Sequence, residues 1–311
     1  MSALAPLVVI LGPTASGKSS LAIRLAQELN GEVLVCDSTQ VYRHFDIGTA
    51  KVPLTDQQGI AHRLIDLVEP EEIFTAGEYR RQALLVLAEV SRRGKLPILT
   101  AGTGLYLRAL LEGLADAPER SEELRARLRA KAQLRGSDHL HRALARLDPE
   151  NAARIAPRDT QKVIRAIEMR ILAGKPVAEI HRAGRSSLEG YDVKKIGLSP
   201  PRAALYAKID ARTDAMIRDG WLEEVRKLSS GGIPPDAKPF QFIGYAELLA
   251  HLAGRLTMED ALKKIQQTTR QFAKRQLTWF RKEPSVHWLP GFGEDPEVVE
   301  AALGFLKNSR G

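Results

Sequence analysis

One cysteine, Cys36, stands in 311 residues. A lone thiol excludes an intrachain disulfide framework and any multi-cysteine metal site, and it suits a reducing compartment, the cytoplasm. Long apolar runs are missing too. The N-terminus carries no basic residue before its apolar segment, and that segment breaks at Gly12, too short for a signal peptide or a membrane span. No membrane association is expected. Internal repeats, low-complexity tracts and zinc-ligand spacing are also lacking. What remains is ordinary globular material, 44% hydrophobic and 27% charged, long enough for two domains or for one with an insertion. The charge is less ordinary: a net +8 fits a polyanionic partner, or a soluble enzyme that is simply basic.

Against these absences one stretch stands out. Gly12, Pro13, Thr14, Ala15, Ser16, Gly17, Lys18 and Ser19 satisfy G-x-x-x-x-G-K-[ST] at every position. The apolar run Leu7 to Leu11 before it reads as a buried parallel strand, and Ser20 to Leu29 after it reads as a helix. A loop that turns backbone N–H groups inward at a helix N-terminus is an anion cradle. Lys18 adds a mobile cation and Ser19 a hydroxyl for Mg²⁺. The motif predicts binding of a di- or triphosphate without saying which.

The second strand, Glu32 to Cys36, ends at Asp37. Ligands of open α/β sheets sit beyond the carboxyl ends of the strands, so this carboxylate is expected to face the phosphates. Asp37-Ser38-Thr39-Gln40 also fits a helix capping box, and the two roles are compatible. Arg63 to Val68 reads as a short strand, Phe74 to Arg93 as a helix, and Leu96 to Thr100 as a buried strand leading into the loop Ala101-Gly102-Thr103-Gly104. That last strand ends without the aspartate that holds Mg²⁺ in many P-loop NTPases, which argues against ordinary ATP hydrolysis.

From about Ala115 the strand pattern disappears. Helical patterns run over Ser121–Arg135, His139–Leu147, Asp148–Ile155 and Thr160–Leu172. The expected fold class is therefore α/β, a P-loop NTPase-like parallel sheet core (residues 1–114 and 191–311) with an inserted all-helical domain (115–190). Strand texture returns at Lys194–Leu198, followed by helical patterns over Tyr206–Leu228 and Thr257–Arg281. The last of these carries Arg270, Lys274, Arg275, Trp279 and Arg281. Such a basic and aromatic face suits RNA, or is the solvated side of an amphipathic helix.

Taken together the motifs resemble those of the tRNA dimethylallyltransferases, also called isopentenyl-diphosphate:tRNA transferases. The matching stretches are 12–19, Asp37–Tyr42, Asp46–Lys51, His62–Asp66, Gly102–Tyr106, Asp159–Lys162, Ile243–Tyr245 and Ala273–Arg281, in the family's order. Departures are Ala101 in place of a glycine, Arg63 for a second histidine, Thr39 for methionine, and Gln241 and Ala246 where arginines can occur. The zinc finger of eukaryotic relatives is missing, which points to a bacterial-type enzyme.

The resemblance implies transfer of a dimethylallyl group from dimethylallyl diphosphate to N6 of the adenosine 3′ of the anticodon, with Mg²⁺, by a protein expected to act as a monomer in the cytoplasm. It implies Asp37 as the general base, Thr103 near the reacting centre, and the 12–19 loop with Arg212 on the diphosphate. At the tRNA it places Asp37, Ser38, Thr39, Gln40, Thr103 and Arg125, the run Gln161, Lys162, Val163, Ile164 and Arg165, and the run Gln241, Phe242, Ile243, Gly244, Tyr245 and Ala246. From the loop alone, a nucleotide or small-molecule kinase remains the rival.

Overall fold

The computed structural model describes residues 4–115, 118–182 and 186–308. Contacts divide the chain into two compact units, Met1–Leu110 with Glu189–Gly311, and Leu111–Leu188.

The larger unit is built on a six-stranded, all-parallel sheet. Along the chain come β1 (Ala5–Leu11), α1 (Lys18–Leu29), β2 (Gly31–Cys36), β3 (His62–Arg63), α2 (Ala76–Arg92), β4 (Leu96–Ala101) and α3 (Gly104–Glu112). The central strands β1, β2 and β4 are mostly apolar because both of their faces are covered. Leu7 through Leu11 are buried, and so is every residue of β2 and β4. Thr75 and Glu78 form a reciprocal cap that starts α2, and Ala83, Leu87 and Val90 set its buried stripe.

The smaller unit is helical: α4 (Glu122–Arg135), α5 (Ser137–Leu147), α6 (Pro149–Ala152), α7 (Thr160–Ala173) and α8 (Val177–Arg182). Ser121 caps α4 and Asp159 caps α7. Leu128, Leu140, Leu144, Val163 and Ile167 fill the space between α4, α5 and α7.

The chain then returns to the sheet with β5 (Tyr191–Leu198), α9 (Arg202–Arg218), α10 (Trp221–Ser230), α11 (Tyr245–Leu252), α12 (Met258–Phe280), β6 (Val286–Leu289) and α13 (Pro296–Asn308). Strand order is β3-β2-β4-β1-β5-β6. Because β4 enters between β1 and β2, three carboxyl-end loops become neighbours. Register makes this concrete: Cys36 pairs with Ala101, Ala101 with Leu11, and Leu11 with Gly197. The residues that follow β2, β4 and β1, namely Asp37, Gly102 and Gly12, therefore meet at one edge of the sheet.

Several expectations need correction. The strand over Arg63–Val68 shrinks to His62–Arg63, because Leu64 and Asp66 take φ of +66° and +51° and turn the chain out of the ladder. No helix starts at Asp37: residues 38–41 form a turn, and Gln40 Nε2 donates to the carbonyls of Thr49 and Ala50 rather than capping. The helix expected over Asp148–Ile155 spans only Pro149–Ala152. β6 and α13 were not foreseen. Among the described residues, no helix is long and apolar enough to cross a membrane.

Candidate active site

β1 delivers the chain into the loop 12–17, and α1 starts at Lys18. Gly17 caps that helix with φ of +85°, a left-handed angle that side chains rarely adopt. The first turn of α1 contains no acidic residue, so its amides and partial positive charge are left for another anion. Lys18 Nζ donates to the carbonyls of Gly12 and Pro13 at 3.0 and 2.8 Å. Burial lowers its pKa to about 8; Asp37 nearby acts to raise it and Arg212 to lower it. The Arg212 guanidinium, on α9, donates to Thr14 Oγ1 at 2.6 Å. Burial brings its pKa down to about 10, against the pull of Asp37. Two cations and one carboxylate thus share the mouth of the loop.

Asp37 is fixed from both sides. Its Oδ1 accepts from the Thr39 N–H at 2.9 Å and the Thr39 hydroxyl at 2.7 Å. Its Oδ2 lies over Gly102, where a β-carbon would collide with it. Any side chain at position 102 would therefore push this carboxylate from its place. Thr103 Oγ1 accepts from the Ser38 N–H at 2.9 Å and donates to Ser38 Oγ at 3.1 Å, tying the second loop to the turn after Asp37.

An open cavity of about 2290 Å³ gathers these groups. Its lining includes Thr14 through Ser19, Asp37 through Gln40, Thr103, Arg212, Gln241, Phe242 and Ile243. Gly12 and Pro13 offer the carbonyls that hold Lys18. Gly244 and Tyr245 lie elsewhere, buried under Trp221, and the Tyr245 hydroxyl donates to Glu224 Oε1 at 2.6 Å. Ala246 is exposed on α11.

The smaller unit distributes its expected RNA residues differently. Gln161 and Lys162 are exposed at the start of α7, whereas Val163 and Ile164 are packed inside at 0% and 5% exposure. Arg125 Nε and Nη2 donate to the two oxygens of Glu168 at 2.9 and 2.8 Å, and Arg165 Nη1 donates at 2.5 Å. Burial acts to raise the Glu168 pKa, but these bonds and one from the Ser121 N–H bring it to about 2. This carboxylate holds two of the expected RNA-binding arginines in place.

Two motifs prove to be scaffolding for the cavity wall. Glu224 accepts from the N–H groups of Asp46, Ile47 and Gly48. Lys51 Nζ donates to Tyr42 O, Asp46 Oδ1 and Asp66 Oδ1 at 2.6, 2.7 and 2.5 Å. Gln276 was missed as a site residue. Its Oε1 accepts from the Thr14 N–H at 2.7 Å and its Nε2 donates to Gly102 O at 2.8 Å, joining both loops. The signal was available: Ala273, Gln276 and Phe280 recur at helical spacing and are all buried on α12.

A parallel sheet with a glycine-bracketed loop on β1, a fixed carboxylate after β2 and a shared cavity defines a P-loop-like α/β protein. The IPP transferase family model matches residues 40–283. A tRNA dimethylallyltransferase of Solibacter usitatus is 50% identical over 96% of this chain and 97% of its own length. The full-length tRNA isopentenylpyrophosphate transferase of Bacillus halodurans superposes with a TM-score of 0.72 at 37% identity, covering 98% of this chain and 96% of that one. A eukaryotic dimethylallyltransferase, solved as snapshots of its action on tRNA, gives a TM-score of 0.81 at 27% identity, covering 97% of this chain and 80% of that one. The chain belongs to the IPP transferase family, and it is a transferase. Nothing in these comparisons supports the kinase reading.

Proposed function

We propose that the protein transfers a dimethylallyl group from dimethylallyl diphosphate to N6 of the adenosine 3′ of the anticodon in tRNA, acting as a monomer in the cytoplasm. The observation that carries this reading is the placement of Asp37. Its carboxylate is held by Thr39 at one oxygen and pressed onto Gly102 at the other, in the same cavity as Lys18 and Arg212. An adenine amine is a weak nucleophile whose lone pair is shared with the ring. It must lose a proton as its bond to carbon forms, and a carboxylate within hydrogen-bond reach accepts that proton.

In the step proposed, N6 attacks the allylic carbon, the C–O bond to diphosphate breaks with its electron pair, and the N6 proton passes to Asp37. Charge grows on the leaving diphosphate. The amides of residues 15–19, Lys18 and Arg212 meet it there, preorganised by the bonds already described. Thr103 holds the turn that carries Asp37 and faces the same cavity. The base must leave its stack to enter, and a site closed to water protects the allylic cation-like transition state. Ser38, Thr39, Gln40, Gln241, Phe242 and Ile243 are assigned to the RNA at the cavity, and Arg125, Gln161, Lys162 and Arg165 on the helical insertion. Val163 and Ile164 support that second set from inside the insertion, and Gly244, Tyr245 and Ala246 support the first.

Mg²⁺ fits this donor set. It keeps most of its waters and takes phosphate oxygens, so it needs few protein ligands. Among the described residues no group of three or more His, Cys, Asp or Glu is placed to hold a metal ion. The Ser19 hydroxyl, in the cavity on the first turn of α1, would be its protein ligand. Bound there it would neutralise diphosphate charge.

Incubation with unmodified tRNA and dimethylallyl diphosphate, followed by mass spectrometry of the RNA, tests the proposal. One added dimethylallyl mass per acceptor tRNA is expected, and unchanged RNA would overturn it. Replacing Asp37 by Ala should abolish most turnover with tRNA affinity retained.

A further inference from the structure

One basic side chain at the cradle has no part in the account above. Lys208 lies on α9 four residues before Arg212, so both project from one face of the helix into the cavity. Its ammonium sits 4.2 Å above the Phe292 ring and pairs with the Glu294 carboxylate. Both partners belong to the segment between β6 and α13. That segment is strapped to the phosphate loop: the Gly293 N–H donates to Ser16 O at 2.8 Å, and Gly293 and Glu294 crowd the α-carbon of Gly17. Asp295 ties the strap to itself, its Oδ2 accepting from the Phe292 N–H at 2.7 Å. A carboxylate therefore rests beside the N-cap of α1, the place where the helix best stabilises an anion, and it holds a cation that faces the same space.

We propose that Lys208 is a further cation of the diphosphate site and that Glu294 is its internal counter-anion, displaced when the donor's diphosphate enters. The proposal rests on the cradle being the diphosphate site. A diphosphate carries more charge than one carboxylate and can accept from Lys208, Arg212 and the loop amides together. The exchange leaves Lys208 paired throughout, while Glu294 swings into the open part of the cavity. Glu294 then sets how tightly the donor binds: it keeps Lys208 in position yet competes for it. Burial lowers the pKa of Lys208; Asp295 acts to raise it and the Arg212 guanidinium to lower it further.

The test is titration of the full chain with inorganic pyrophosphate and Mg²⁺ by calorimetry. Lys208→Met keeps the aliphatic stem against Phe292 and should weaken binding at least ~tenfold, the lower end for a lost charged hydrogen bond. Glu294→Gln should tighten it several-fold. In the Lys208→Met/Glu294→Gln protein the gain from Glu294→Gln should shrink, since only its repulsion of the diphosphate remains to be relieved. Lys208→Gln, with a thermal melt, guards against a packing defect and should weaken binding likewise. Unchanged affinity in both Lys208 variants would overturn the proposal, as would an equal gain from Glu294→Gln with Lys208 absent. A wild-type protein that binds pyrophosphate but transfers nothing to tRNA would sink the proposed function and leave this assignment standing.

Discussion

Replacing Gly102 by alanine adds a single carbon to the loop after β4, and the structure says where it goes. Gly102 does not occupy the left-handed region, so its backbone accepts alanine without strain. The new β-carbon would overlap Asp37 Oδ2 and lie 3.2 Å from Cγ and 3.7 Å from Cβ of the same residue. The carboxylate, and not the main chain, must give way. Turning it breaks the two bonds from Thr39, but the group moves toward an open cavity where water replaces part of what is lost. A stability cost of about 1.5–3 kcal/mol follows, the range for a hydrogen bond to a charged group. The kinetic cost is larger, because a base misplaced by about 1 Å lowers the rate on the order of 10²-fold. Single-turnover prenylation of tRNA, followed by mass spectrometry, reads the rate; a thermal melt reads the fold; pyrophosphate titration reads the cradle. The expectation is a large fall in rate with pyrophosphate affinity held. A Gly102→Ala enzyme running at the wild-type rate would refute the placement of Asp37 at the reacting centre.

Other outcomes follow from the same geometry. In the protein alone Lys18 titrates near 8, and a bound diphosphate raises that value, so pyrophosphate binding at about pH 8.5 should take up a proton. Calorimetry in buffers of different ionisation enthalpy measures the uptake, and Lys18→Met should remove it; an equal uptake without the ammonium would contradict the assignment. Glu168 has a folded-state pKa near 2 against 4.5 unfolded, so its contribution is complete above 4.5 and lost as pH falls from there toward 2. Removing it with Glu168→Ala leaves two arginines without their shared partner and should cost about 3–5 kcal/mol, read by urea unfolding of the helical insertion; a neutral result would show the network to be dispensable. Affinity for tRNA should fall steeply with added salt if basic surfaces hold the phosphates, and a flat response would point to a mainly small-molecule enzyme.

The phosphate loop, the strands around it and the change to all-helical texture were legible because each leaves a local pattern. An apolar run before a glycine-bracketed lysine, and helical spacing without strand runs, need no knowledge of the rest of the chain. Asp37 could be placed at the sheet edge from its position after β2, but not its partners. The Thr39 bonds and the approach to Gly102 depend on β4 entering between β1 and β2, a fact of topology. The strand expected at 63–68 failed for a local reason, two left-handed residues in an apolar-looking run. β6 has four residues, Val286–Leu289, too few for a periodicity, and its pairing with β5 stabilises it only in the assembled sheet. The strap at 291–295 was hidden in the same way, since its meaning lies in what it touches. Arg125 shows the opposite limit: resemblance assigned it to RNA, whereas its partner Glu168 emerges only when α4 and α7 are packed together.

The amide of Gln276 has a consequence for how such a catalyst can change over time. One planar group, with an acceptor at one tip and a donor at the other, spans from the Thr14 nitrogen to the Gly102 carbonyl. Glutamate would lose the donor and asparagine would fall short by a methylene, so few replacements can keep both ends. The spacing between the two loops is thereby tied to the length of a single side chain. Variation in this family's substrate preference is then expected to accumulate in the outer walls, where residues such as Gln241 and Phe242 sit, while the separation of the two inner loops stays fixed.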